Sequence, residues 1–414
     1  MKPTVYAGGG IAVAPDPVRG VIRVWTWWPD AAALQLVRVT GDGVRSPVRG
    51  AFPLVPTTAT RRNLCTNPSV EVSLSGYVAL NGQTTLSRPS GSAPAGTYVL
   101  RMVSTSTTTG ALVPGTLPGP GTFTISLNLF WSTRPSGVTV TVPWLDAAGS
   151  SAGTTTITLS GDQINTSVGQ TARHVLTAVA PSGAVTGSVT LTVTGITANV
   201  TTVDMDAVVI ERAATDGSYF DGSSTGGSWT GTAGLSTSLL APLFVVDDGE
   251  PPFDTAVTYE AYNAALTGGR VASVPVLLAS TGTTWITHPA APASPFVVQL
   301  AAPTPVRTYE VDQGTFNVLG RARPVVVSAA QRRAATGTVT FGALSRAELR
   351  SLLATFGDLS PVLLRVPGDY DPGDMWVVLG ALTVDPQGRL PYQDTRVISA
   401  PFTEVDPPDA ALVA

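Results

Sequence analysis

Glycine, proline, serine and threonine interrupt this chain so regularly that its apolar residues occur only in short, strand-sized stretches. The 414 residues include 42 glycines and 34 prolines, and the stretches between them are rich in valine, isoleucine, threonine and aromatic side chains. β-Branched and aromatic residues favour extended strands, while glycine and proline favour the turns that connect them. The pattern therefore predicts an all-β, mainly antiparallel protein.

The charge balance excludes several classes of partner. Charged side chains make up 13% of the chain, and 24 basic residues are outnumbered by 28 acidic ones. Without a basic patch, we expect no binding to nucleic acid. The long uncharged stretch 102–133 is broken throughout by serine, threonine, glycine and proline, so we expect no membrane insertion. A lone Cys65 and an amino terminus without an apolar signal core favour folding in a reducing cytoplasm.

Strands of one character lie on both sides of a long serine- and threonine-rich stretch. Residues 1–58 contain hairpin-like strands, and similar strands return only in residues 241–285. Neither segment can form a core alone, but together they have the size of an immunoglobulin- or fibronectin-like sandwich. The sequence therefore predicts a discontinuous β-sandwich, 1–58 plus 241–285, interrupted by an inserted domain at 61–240.

The remaining two regions have their own patterns. Residues 61–240 contain strand-sized runs separated by turn residues, in about the number that a jelly roll needs. Residues 286–414 predict a C-terminal β domain with one helix at 345–356, where leucines recur at helical spacing. Ser345 and Glu348 have the spacing of a capping box at the start of that helix.

Residues suited to catalysis are scarce. The two histidines, His174 and His288, have no partner motif for a Ser–His–Asp or Cys–His site, and with one cysteine they cannot form a zinc finger. Glycoside hydrolysis needs two carboxyl groups in a cleft, and no pair in the insert is flanked by cleft-like aromatic residues. We therefore expect no enzymatic activity and keep a glycan hydrolase as the alternative.

Three tryptophans in the insert are candidate carbohydrate-binding residues. Trp131, Trp144 and Trp229 lie in sequence that is otherwise rich in serine, threonine and glycine. The apolar face of a sugar stacks on such a ring, and the surrounding polar groups bind its hydroxyls. The alternative is that Trp131 and Trp144 belong to the core.

Two motifs in the insert resemble jelly-roll carbohydrate-binding modules. Residues 63–71, NLCTNPSVE, are similar to the opening NLxxNPSFE of that family, and Val203–Glu211, VDMDAVVIE, resembles its closing strand. In the family, a structural Ca²⁺ commonly joins the first and last strands. The resemblance implies that Glu71 and Asp206 are its ligands here. Val70 replaces the usual aromatic residue, which changes the packing but not the metal ligands.

The chain as a whole resembles minor tail proteins of siphoviruses that infect actinobacteria, in the stretches 36–51, 219–237, 248–254 and 401–408. The resemblance implies a structural protein at the virion tail tip, assembled in the host cytoplasm. Its implied partners are other phage tail proteins, further copies of itself in a homo-oligomer, and host cell-wall glycan. A tail-associated glycan hydrolase and a secreted bacterial glycan-binding adhesin are the alternatives, and the absence of a signal-like segment weakens the adhesin.

Overall fold

The structure is a computed structural model, and nearly all its secondary structure is antiparallel β-sheet, which confirms the predicted fold class. The chain divides into two compact units, which are Met1–Trp27 with Ala31–Thr57 and Leu243–Ala414, and Trp28–Asp30 with Thr58–Pro242. The structure describes residues 9–28, 31–91, 93–263, 269–300, 306–317, 319, 322–328, 334–355, 360–366, 374–386 and 396–409.

The first segment of the first unit forms strands because buried and exposed side chains alternate along it. Val24 in the second strand and Leu34 and Leu36 in the third have no exposed surface. The strands are β1 (Gly10–Asp16), β2 (Val21–Trp27), β3 (Leu34–Thr40) and β4 (Arg45–Pro47). At the end of this segment the amide of Thr57 donates to the carbonyl of Leu243 at 2.7 Å, so the chain leaves the unit and returns to it at one place.

The second unit is a sandwich of two five-stranded sheets. In chain order its elements are β5 (Arg61–Asn63), β6 (Val78–Ala79), β7 (Thr84–Ser87), β8 (Leu100–Ser104), β9 (Thr108–Pro118), β10 (Thr122–Trp131), β11 (Gly137–Leu145), β12 (Ser151–Thr158), α1 (Gly161–Asn165), β13 (Ala172–Val179), β14 (Thr186–Thr194), β15 (Val203–Glu211), β16 (Gly227–Trp229) and β17 (Ser238–Leu240). One sheet has the order β13-β10-β15-β8-β7 and the other β12-β11-β14-β9-β6. A small sheet, β16-β17-β5, accompanies them.

The core of the second unit lies between its two large sheets. Leucine, isoleucine, valine and aromatic side chains from alternate positions of both sheets form one buried cluster. Cys65 belongs to this cluster, and burial raises the pKa of its thiol to about 12, so it is a packing residue and not a reactive one. The predicted insert boundaries, 61–240, fall within three residues of this unit, Thr58–Pro242.

The returning segment completes the first unit. Its elements are β18 (Leu243–Asp248), β19 (Ala256–Asn263), β20 (Arg270–Ala272), β21 (Val276–Leu277), β22 (Thr284–Thr287), β23 (Phe296–Leu300), β24 (Val306–Thr308), β25 (Gln313–Phe316), β26 (Val325–Ser328), β27 (Thr336–Leu344), α2 (Arg346–Thr355), β28 (Val362–Arg365), β29 (Met375–Leu379), β30 (Thr383–Pro386) and β31 (Arg396–Glu404). β18 pairs with β2 and β19 with β3, so the two segments of the predicted sandwich share both of its sheets.

The residues predicted as a separate C-terminal domain lie in the same compact unit as that sandwich. They form an eight-stranded sheet, β24-β27-β23-β22-β28-β29-β31-β30, in which β27 also pairs with β31. Leu352 of α2 is fully buried in the core of this sheet. The capping box is present, because the Ser345 amide donates to Glu348 Oε2 at 2.7 Å and the Glu348 amide donates to Ser345 Oγ at 3.3 Å. Phe356, the last residue of the predicted helix, lies outside the described residues.

A buried polar network joins distant stretches of the first unit. Arg38 donates to both oxygens of Asp248, at 2.9 and 2.7 Å, and Arg49 donates to Glu250 at 2.6 Å. Arg49 also donates to the carbonyl of Pro408 at 2.9 Å. A buried charge that loses its partner is strongly destabilising. Three of the four stretches that resemble tail proteins therefore meet in one network of ion pairs and hydrogen bonds.

Arg365 extends this network from the eight-stranded sheet. Its side chain is fully buried and donates to the carbonyls of Gly20 at 2.7 Å, Gly249 at 2.9 Å and Pro251. Its guanidinium lies 4.0 Å from the ring centroid of Phe253. One side chain therefore satisfies three backbone acceptors and connects the end of β28 to loops of the sandwich.

Among the described residues, no helix has the length and apolar character that a membrane crossing requires.

Candidate functional site

Trp144, the second of the predicted carbohydrate-binding tryptophans, is a core residue. It has no exposed surface, and its ring centroid lies 5.7 Å from that of Phe123. The facing Gly187 makes room for the ring, since a Cβ there would lie 2.6 Å from it. Its indole N–H donates to Thr155 Oγ1 at 2.9 Å. The structure thus corrects the prediction, because a ring buried on all sides offers no face to a sugar.

The prediction that Trp131 binds carbohydrate is wrong for the same reason. It is fully buried, donates its indole N–H to the carbonyl of Ile164 at 2.9 Å, and stacks on His174 with 6.0 Å between ring centroids. The Nε2 atom of His174 is hydrogen-bonded to Ser167 Oγ at 2.7 Å, and burial lowers the pKa of the imidazole. His174 is therefore a buried structural residue of β13.

Trp229 differs from Trp131 and Trp144 in its exposure to solvent. Its side chain lies at the end of β16 and is partly exposed, and one face of the ring covers Gly222 so closely that a Cβ there would lie 2.3 Å from the ring. The other predicted tryptophans lie in the large sheets, whereas Trp229 belongs to the small sheet β16-β17-β5. It therefore remains a candidate for stacking on a ligand.

The second unit has a pocket on the outer face of the sheet β13-β10-β15-β8-β7. The cavity measures about 140 Å³ and is lined by side chains of three neighbouring strands and two loops, which are Gly91, Pro94, Val99, Arg101, Asn128, Phe130, Thr171, Asp204, Met205 and Asp206. Phe130 is partly exposed and is the aromatic residue of this lining. Pockets that combine an apolar surface with a few convergent polar groups are the usual form of small-ligand sites.

An ion pair forms one side of this pocket. The Nε and Nη2 atoms of Arg101 donate to the two carboxylate oxygens of Asp204 at 2.7 and 2.8 Å. The pair is made across the β8–β15 register, in which Arg101 and Asp204 are direct partners. Two parallel bonds fix both side chains in one plane, which makes the pair a rigid recognition element.

The two predicted metal ligands lie beside one loop, residues 93–98, which we call the carboxylate loop. Asp206 Oδ2 accepts from the amide of Ala95 at 2.8 Å. Glu71 Oε1 accepts from the amides of Thr97 at 2.9 Å and Tyr98 at 2.8 Å. The structure therefore places Glu71 and Asp206 beside the same loop, although they are distant in sequence.

The surroundings of Asp206 disfavour its negative charge. The residue is only 3% exposed, and its Oδ1 atom is buried without a hydrogen-bond partner. Burial raises the pKa of Asp206 to about 7, against the opposing effect of the backbone amides of Ala95 and Ala207. The charges of Glu71 and Asp221 add to the rise.

These residues fit a hard cation. An unpartnered buried carboxylate oxygen next to a second carboxylate is the kind of ligand that Ca²⁺ prefers, and backbone carbonyls commonly complete its shell. Asn67, four residues before Glu71 in the chain, also has a buried oxygen without a hydrogen-bond partner, Oδ1. The described residues contain no cluster of three or more His, Cys, Asp or Glu that could hold a metal, so protein ligands beyond the two carboxylates would have to be neutral oxygens.

Phe130 and Arg101 were absent from the predicted site, although strand alternation contains the signal. Leu127, Leu129 and Trp131 occupy one face of β10 and are all buried, so Phe130 must point to the opposite face. Alternation thus assigns Trp131 to the core and Phe130 to the surface. Arg101 gives no such signal, because its partner Asp204 depends on the register of two strands that are distant in sequence.

No protein-family model and no curated protein matches this chain. Among solved structures, it is similar to the CBM22-1 and GH10 modules of xylanase 10B from Clostridium thermocellum, complexed with xylohexaose. That match has 18% identity and a TM-score of 0.29, and it covers 36% of this chain and 28% of that one. Tailspike protein 4 of bacteriophage CBA120, in its enzymatically active domain, matches with 14% identity and a TM-score of 0.28, over 36% of this chain and 21% of that one.

The baseplate tripod of bacteriophage Tuc2009 is similar with 12% identity and a TM-score of 0.23, over 61% of this chain and 99% of that chain. This chain spans less than a third of the first two structures. The structural neighbours thus include proteins with carbohydrate-binding modules and phage tail and baseplate proteins.

Proposed function

We propose that this chain is a structural, non-enzymatic protein of a bacteriophage tail and that its second unit binds a host cell-surface glycan at Phe130. The observation that carries the proposal is the pocket on the outer face of the β10 sheet. It combines a partly exposed ring with polar groups that converge on it. The other aromatic residues of β10, Phe123 and Trp131, are used in the core.

The lining suits a neutral sugar. The Phe130 ring offers an apolar face on which a pyranose ring can stack, since C–H groups on one side of a sugar are apolar. The amide of Asn128 and the fixed Arg101–Asp204 pair offer donors and acceptors to hydroxyl groups. Arg101 is already neutralised by Asp204, so a strongly charged ligand gains little at this pocket.

The test is binding of the purified full chain to immobilised actinobacterial cell-wall glycan, with β-1,4-linked xylo- and galacto-oligosaccharides as further probes. We expect Phe130→Ala to weaken binding about tenfold, because a lost stacking contact is worth about 1.4 kcal/mol. Tyr309→Ala is the matched control, since Tyr309 is 44% exposed in the first unit and lies outside the sheet β25-β26. Equal binding by wild type and Phe130→Ala contradicts the proposed site.

The tail assignment is supported by the four stretches that resemble actinobacteriophage minor tail proteins and by the way three of them meet in one buried network. We propose a place at the tail tip, with other tail proteins and further copies of the chain as partners. The sheet β25-β26 suits such a contact, because Phe316, Val326 and Val327 are 57%, 54% and 59% exposed. Locating the chain in images of an intact particle tests this assignment.

The hydrolase alternative has one observation in its favour. Asp204 and Asp206 both line the pocket, and burial raises the pKa of Asp206 to about 7. Against it, the unpartnered Oδ1 of Asp206 is buried, and Arg101 occupies both oxygens of Asp204. Release of reducing ends from cell-wall glycan, lost in Asp204→Asn, would favour the hydrolase over the binding protein.

We also propose a structural Ca²⁺ in the second unit, held by Glu71 and Asp206. The ion would supply the missing partner of Asp206 Oδ1 and offset the repulsion between the two carboxylates. A ligand that binds only the folded state raises its stability. Equal melting temperatures of the full chain in Ca²⁺ and in chelator would contradict this site.

A further inference from the structure

The carboxylate loop takes its shape from two carboxylates and not from packing alone. Three of its five amide N–H groups donate to Glu71 or Asp206 at 2.8 to 2.9 Å. Amides bonded to ionised carboxylates make stronger hydrogen bonds than neutral pairs do. The backbone path of residues 93–98 therefore depends on where these two carboxylates lie.

Gly96 shows how closely the loop follows Glu71. Its φ is +89°, in the left-handed region that favours glycine, and a Cβ at this position would lie 2.4 Å from Glu71 Cδ. Arg88 fixes the backbone of Glu71, because it donates to the carbonyls of Val70 at 2.8 Å and Glu71 at 2.9 Å. The backbone of Glu71 is thus held by Arg88, and its carboxylate binds two amides of the loop.

The same loop is a wall of the sugar pocket. Pro94 lies in the loop and lines the pocket, next to the Ala95 amide that Asp206 accepts. Asp206 lines the pocket as well, while its Oδ1 atom is buried without a partner. One residue therefore belongs both to the carboxylate pair and to the pocket, so a change at the pair reaches the pocket wall directly.

We propose that a divalent cation held by Glu71 and Asp206 fixes the carboxylate loop and thereby raises the affinity of the Phe130 pocket for its glycan. The second half, the gain in glycan affinity, rests on the proposed function. Bringing two carboxylates together without a cation costs free energy that is recovered when a cation binds between them. The coupling is reciprocal, so glycan must raise the affinity for the cation by the same factor.

The first half is tested by amide hydrogen exchange of the full chain in CaCl₂ and in chelator. We expect Ca²⁺ to slow exchange at Ala95, Thr97 and Tyr98 at least tenfold in wild type and not in Glu71→Gln. Asp162→Asn is the control, because it removes one exposed charge on α1 and should respond as wild type does. Exchange at these amides that is the same with and without Ca²⁺ overturns the proposal.

The second half is tested with the same three proteins on immobilised actinobacterial cell-wall glycan. We expect Ca²⁺ to tighten binding several-fold in wild type and in Asp162→Asn but not in Glu71→Gln. Glycan binding that is unchanged by Ca²⁺ overturns the coupling and leaves the proposed function intact. No glycan binding in either condition overturns the proposed function together with the coupling, and the exchange result then decides the cation site alone.

Discussion

Asp206 gives the sharpest prediction, because its carboxyl group is buried, titratable and incompletely hydrogen-bonded. Each pKa unit corresponds to about 1.4 kcal/mol, so a rise from the ordinary 3.8 to about 7 amounts to about 4 kcal/mol at high pH. The folded state holds the proton more tightly than the unfolded state. The contribution of this carboxyl to stability is therefore complete below pH about 4 and is lost as the pH rises through about 7.

The perturbation is Asp206→Asn, which removes the titration and keeps the shape of the side chain. In chelator, we expect the second unit of the wild type to lose about 2.5 kcal/mol of unfolding free energy between pH 5 and pH 8 through this group. The unfolding free energy of Asp206→Asn should not show this loss between pH 5 and pH 8. Its amide also leaves different buried atoms unpaired, so the test compares the pH dependence of the two proteins and not their absolute stability.

Urea titrations read by pulsed hydrogen exchange on peptides from β10 and β15 report the second unit within the full chain. Titrating groups far from Asp206 contribute equally to both proteins and cancel in the difference. Saturating Ca²⁺ should remove the extra pH dependence of the wild type and leave the variant unchanged. Parallel pH profiles for wild type and Asp206→Asn in chelator would refute the reasoning.

Four further predictions concern packing and assembly. Trp144→Ala should destabilise the second unit by about 3–5 kcal/mol in a urea titration, since the ring is fully buried, and a loss under 1 kcal/mol would contradict the core assignment. Gly187→Ala should cost about 1–3 kcal/mol by the same measurement, because a Cβ would lie 2.6 Å from that ring, and unchanged stability would show that the ring can move. Arg365→Met should lower the melting temperature of the first unit in calorimetry, because three buried carbonyls lose their donor at about 1–3 kcal/mol each, and an unchanged transition would contradict this role. Phe316→Ser should reduce self-association in light scattering if β25-β26 is an assembly contact, and wild-type self-association would argue against that contact.

Local patterns predict the parts of the fold that depend on neighbouring residues. The capping box of α2 is readable at Ser345 and Glu348, because both partners lie within one helical turn. Strand alternation likewise separates the two faces of β10 and places Trp131 on the buried face, with Leu127 and Leu129.

Contacts between distant segments are harder to predict. The pairing of Arg101 with Asp204 depends on the register of β8 against β15, and no local pattern encodes that register. No local pattern relates Glu71 to Asp206, and only the resemblance of their two motifs to carbohydrate-binding modules predicts that they act together. Arg365 could not be predicted at all, since its acceptors are backbone carbonyls of loops far away in sequence.

We propose that the second unit binds glycan on the outer face of the β10 sheet. A crystal structure of the full chain soaked with a neutral cell-wall oligosaccharide tests it directly. We predict a sugar ring stacked on Phe130 with hydroxyl groups hydrogen-bonded to Arg101, Asn128 or Asp204. A sugar bound at Trp229 or elsewhere, with the Phe130 pocket empty in a crystal where it is accessible, would contradict the proposed glycan site.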